Sequence, residues 1–160
     1  MRALVLLVFA GCASAVPAPR DEHLTTAAWE RERYCGAGAD EALPELLEKN
    51  VLDSVEPVYA RVQSKSSMSK RLLGAELHPR ALPGMTAEWL EPILHCHAAI
   101  RVLETGRPDD PRAPFWISGG WVQIYVRPET GGFQVDLHGE SPAEAQRILE
   151  RAQALLAARR

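Results

Sequence analysis

The chain has 160 residues, enough for one domain with a hydrophobic core, and 46% apolar and 24% charged residues are proportions of a globular protein. A formal net charge of −3 gives no basic footprint, which argues against nucleic acid as a partner. No G-x-S-x-G, Gly-rich phosphate loop or H-E-x-x-H is present, so a non-enzymatic role is expected.

Arg2 precedes the apolar run ALVLLVFA, which is too short to span a bilayer and reads as an export signal over residues 1–11. Phe9-Ala10-Gly11-Cys12 resembles the lipobox of bacterial lipoproteins, in which the cysteine is acylated and becomes the new N-terminus. That resemblance implies a lipid anchor on Cys12. With Ala13 following, it also implies the outer membrane, on the periplasmic side. The competing reading is ordinary signal peptidase cleavage after Ala13-Ser14-Ala15, which would leave a periplasmic or secreted protein. Residues 12–20, rich in Pro and Ala, form a tether.

A helical N-terminal arm is expected over residues 21–56. DEHLTTAAWERERY is helix-compatible, GAGAD breaks it, and EALPELLEKNV carries Leu43, Leu46, Leu47 and Val51 at helical spacing. An α+β domain over residues 57–160 follows. Val58, Ala60 and Val62 alternate as in a strand, SKSSMSK turns the chain, and Leu73, Ala75 and Leu77 mark a second strand. Thr86–Leu103 reads as a helix that Pro92 kinks or delays, with Trp89, Ile93, Cys96, Ile100 and Leu103 on one apolar stripe. WVQIYVR and GFQVDLH alternate as a hairpin around the medium-length loop RPETGG. Ser141, Pro142 and Glu144 open the last helix with a capping box and a proline in its first turn. The order ββαββα predicts a small, mainly antiparallel sheet with two amphipathic helices on one face. The other face would show Tyr59, Glu76, His78, Gln123, Tyr125, Gln134, Asp136 and His138, covered by the N-terminal arm or by a partner. Tyr59, His78, Tyr125 and His138 are the candidate contact residues there.

Cys12 is acylated or discarded in either cleavage scheme, which leaves Cys35 and Cys96 as an even pair in an oxidising compartment. Three readings stay open for that pair: a disulfide, a buried free thiol, or a zinc or copper site completed by His97 and His23. His95 and His97 lie about 200° apart on a helix and cannot grip one ion together. His97 is expected half-buried and His95 exposed, on the side of Glu91. Cys96 and His97 diverge by about 100°, poor geometry for a nucleophile and its base, and a thiol redox enzyme would need an accessible Cys96. His78 and His138 share the outer face and could share a site.

The segment from Gly84 to Leu156 resembles the C-terminal half of an uncharacterised family of exported bacterial lipoproteins. A Cys-His-x-Ala helix carries the resemblance, matched by Cys96, His97, Ala98 and Ala99. The β-hairpin after it and the Arg151–Ala152 pair in the last helix also match, as do Glu22, His23 and Cys35 in the N-terminal arm. Relatives are rich in histidine along that arm where this chain has only His23, which weakens the metal reading. The resemblance implies location and fold, and it carries no activity. The expectation is an exported, lipid-anchored binding or interaction module with a possible envelope protein as partner. The alternative is a periplasmic zinc- or copper-binding protein using Cys35, Cys96 and His97.

Overall fold

The computed structural model describes residues 20–36, 51–63, 68–104 and 109–158. The export signal, Cys12, the tether, the helix expected from Glu41 and the tip of the first hairpin lie outside the described residues.

The elements are α1 (Asp21–Tyr34), β1 (Leu52–Gln63), β2 (Met68–Pro79), α2 (Ala87–Leu103), β3 (Val122–Glu129), β4 (Gly132–Gly139) and α3 (Pro142–Ala157). The four strands form one antiparallel sheet in the order β1-β2-β4-β3. This is an α+β domain of order ββαββα behind an N-terminal helix. β1 begins at Leu52, so the boundary expected at residues 56/57 falls inside a strand. Met68–Lys70, expected in a turn, already belong to β2. The second hairpin is also tighter than expected: β3 and β4 pair to Glu129–Gly132, leaving only Thr130 and Gly131 at the turn. Gly131 accommodates that turn with φ +85°.

The helix starts follow local chemistry. Thr86 accepts a hydrogen bond from the Trp89 N–H at the head of α2. Ser141 and Glu144 cap α3 reciprocally, with Pro142 beside them in the first turn where its missing N–H costs nothing. Pro92, by contrast, is the sixth residue of α2 and lies inside the helix, which runs on through it without the hydrogen bond that an N–H there would give the Glu88 carbonyl.

Core packing explains why the sheet is two-faced. Ala75, Leu77, Val122, Ile124, Val135 and Leu137 meet Leu90, Ile93, Leu94 and Ala98 of α2 and Ile148, Ala152 and Leu155 of α3. A second, smaller cluster lies on the far side of α2, where Ala99 and Val102 meet Ala27 of α1, Trp116 and Trp121. The second helix therefore buries two faces rather than the single stripe read from its spacing. Trp89 is the exception to that stripe: it is 44% exposed. The α1 helix ends above Cys96, and Trp89 lies about two helical turns beyond that point.

Gly74 shapes the join between the two hairpins. The β1–β2 register skips Leu73, and Gly74 there has φ +155°. A Cβ at this position would lie 1.9 Å from the Leu137 carbonyl oxygen of β4. Only glycine lets β4 approach β2 at this bulge.

Candidate functional site

The first helix lies on α2 and is held at both ends, to α2 at one and to Glu140 and Trp121 at the other. At its C-terminal end Cys35 is bonded to Cys96, whose side chain is fully buried. One turn back, Glu30 Oε1 lies 3.1 Å from His95 Nδ1, and the His95 ring stacks on Tyr34 with centroids 5.0 Å apart. At its N-terminal end the buried His23 places Nε2 3.1 Å from Glu140 Oε2 and packs beside Trp121.

Two expectations change here. His95 is not exposed but largely covered, because α1 lies across it. His97 is buried rather than half-buried.

The disulfide commits both sulfurs that the metal reading needs. His23 lies some 12 residues before Cys35, about 18 Å along the helix, so the two cannot ligate one ion while α1 is formed. Among the described residues no group of three or more His, Cys, Asp or Glu side chains is placed to hold a metal.

Among the described residues no element, α1 included, covers the outer face of the sheet. That face carries a polar network built by strand alternation. Gln134 donates to Glu76 Oε2 and to Asp136 Oδ1, and Arg127 donates to the other oxygen of Asp136. His78 sits between two carboxylates, 3.0 Å from Glu76 and 2.9 Å from Glu129. At the opposite end Tyr125 packs against His138, centroids 5.4 Å apart, and its hydroxyl donates to Gln123. Glu56 lies opposite Glu76 on the neighbouring strand, so the face carries more acid than base.

The expected contact residues thus fall into three places. Tyr125 and His138 are together. His78 is apart from them: His138 pairs with Gly74, four residues from His78, about 13 Å along the strand. The two histidines do not share a site. Tyr59 is farther out on β1 and, three residues from Glu56, points to the other side of the strand rather than to the outer face, with the Lys70 ammonium 5.9 Å from its ring centre.

The two imidazoles are tuned in opposite directions. Burial alone would lower the pKa of His78, but the Glu129 and Glu76 carboxylates outweigh it and hold His78 above its ordinary 6.5. Burial holds His138 below 6.5, with Arg127 adding to that effect and Asp136 opposing it. His78 is therefore the group that charges first as pH falls. It is paired with both of those carboxylates on this face.

Sequence reading missed Glu30, Arg127, Glu129 and Glu140. Alternation places Arg127 and Glu129 on the outer face with Tyr125, a signal available in principle. Nothing local marks Glu30 or Glu140, whose partners come from distant elements.

The chain matches no family model, and neither curated proteins nor solved structures give a match.

Proposed function

We propose that the protein is an exported, lipid-anchored module of the bacterial cell envelope that binds a partner through the open face of its sheet, without catalysis. The observation that carries this reading is the polar network of Glu76, His78, Glu129, Gln134, Asp136 and Arg127, with Tyr125 and His138 beside it. It spans β2, β4 and β3 on a face that the first helix leaves uncovered among the described residues. An ordered, acidic, hydrogen-bonding surface with a half-exposed tyrosine fits a partner that presents cationic and polar side chains.

The apolar run before Cys12 supports export, and the disulfide agrees with an oxidising compartment. The zinc or copper alternative would require that bridge to be opened first. Fractionation of bacterial cells expressing the full chain, with mass spectrometry of the N-terminal peptide, tests the location. A diacylglyceryl group on Cys12 in the outer-membrane fraction is the expected result. A cytoplasmic chain with its first residues intact would overturn it.

A further inference from the structure

The β1–β2 hairpin extends well past the sheet that anchors it. β2 pairs with β4 only from Gly74 to Leu77, whereas β1 and β2 stay paired out to Gln63 and Met68. Beyond Gly74 the hairpin is a two-stranded finger, and a lone two-stranded ribbon is marginal in water. Its outer part hides nothing: Arg61, Val62 and Gln63 on one strand and Met68, Ser69, Lys70 and Arg71 on the other are all exposed.

The finger combines two kinds of chemistry. Met68 is 65% exposed, Tyr59 51% and Val62 39%, and they are three of the six large hydrophobic side chains most exposed among the described residues. Between Glu56 and Glu76 the sequence carries Arg61, Lys65, Lys70 and Arg71 and not one acid. The chain as a whole is nonetheless negative, at −3, so the rest of it carries a clear surplus of acid.

This asymmetry would orient the molecule in an electric field, finger toward a negative surface and body away. A nucleic acid or an acidic protein would use the cations but give no return for solvent-exposed Met68 and Val62. A bilayer interface uses both, headgroup phosphates for the cations and the acyl boundary for the apolar side chains.

We propose that the β1–β2 finger docks on anionic membrane lipid, with Arg61, Lys70 and Arg71 meeting headgroup phosphates and Val62 and Met68 entering the interface. This contact is separate from the open sheet face and from any acyl chain on Cys12. Either could fail without the other.

The test is co-sedimentation of the full chain carrying Cys12→Ser with vesicles of phosphatidylcholine alone or mixed with phosphatidylglycerol. The expected result is tighter binding to the anionic vesicles, weakened about tenfold or more by Lys70→Glu with Arg71→Glu. It should also be largely lost at about 0.5 M salt, where the Debye length is only about 4 Å. Arg31→Glu with Arg112→Glu changes the net charge equally at exposed sites elsewhere and should leave binding unchanged. Val62→Ser with Met68→Ser should also weaken binding to the anionic vesicles. All six positions are exposed, so the variants should fold, which circular dichroism checks. Equal binding to both vesicle types, or equal losses in the finger and control pairs, would overturn the proposal. So would vesicle binding that ignores the finger while duplex DNA is bound through the same cations.

Discussion

Cys35, the residue that ends α1, is bonded to Cys96 in the middle of α2, with the two Cα atoms 4.9 Å apart. The bond closes a 61-residue loop that includes both strands of the first hairpin. Chain-entropy arguments give about 4 kcal/mol for a loop of that size. Reduction, or Cys35→Ala, should lower unfolding stability by a value of that order in denaturant titrations. Intact mass should rise by two hydrogens only after reductant. An unchanged midpoint would mean that α1 is held without the bridge.

Glu30 and His95 form the other contact at that end of the first helix. Both side chains are largely withdrawn from water, so removing one leaves the other buried without its partner. Glu30→Ala should cost about 1–3 kcal/mol. It should also speed amide exchange in α1 more than in the sheet, as read by hydrogen–deuterium exchange. Uniform loosening of the whole domain would contradict a local role.

Arg151 of α3 is buried, donating to the Trp116 carbonyl and to Asp109, which in turn accepts from the Ser118 N–H. One guanidinium thus ties together residues 109–118 ahead of β3. Arg151→Ala removes a buried charged donor and opens a space, and should cost about 3 kcal/mol. A thermal midpoint within a degree or so of wild type would count against it.

Gly74→Ala should be among the most damaging single-atom additions in the sheet. The Cβ meets the Leu137 carbonyl, and φ +155° is unfavourable for any L side chain. A loss of more than about 2 kcal/mol is expected in chemical denaturation. Normal stability would require β2 and β4 to separate without cost.

The opposite tuning of two imidazoles gives a pH prediction. His78 is raised, so its folded-state pairing with Glu129 and Glu76 stabilises fully below pH 6.5 and is lost as pH rises through its higher folded value. His138 is lowered, so burial penalises its protonation and stability falls as pH drops below 6.5. Imidazole resonances followed by NMR should titrate with the His78 midpoint above 6.5 and that of His138 below it. The reverse order would refute the described network.

Much of the fold was legible because its signals are periodic. Alternation in VQIYV and FQVDL, the Ser141–Pro142–Glu144 start and the apolar spacing of the last helix each specify an element locally. The docking of α1 was legible only through the Cys35–Cys96 pair, not from its helix face. Its buried positions are His23, Ala27 and Glu30, spaced correctly for a helix face, but two of the three are ionisable and give no apolar stripe. Their satisfaction depends on Glu140 and His95, far away in sequence. For the same reason His95 looked exposed and α2 looked one-sided. The outer sheet face was readable from alternation, yet its division into a His78 end and a His138 end followed only from the strand register.

The claim that the open sheet face is a contact surface is tested most directly by photo-crosslinking in living cells. A photoreactive residue replaces Tyr125 on the sheet face or, as a control, the exposed Gln146 on α3. The account predicts a discrete crosslinked species from the Tyr125 position, absent from the Gln146 position and diminished by Glu129→Lys. No adduct from the sheet face, or the same adducts from both positions, would contradict it.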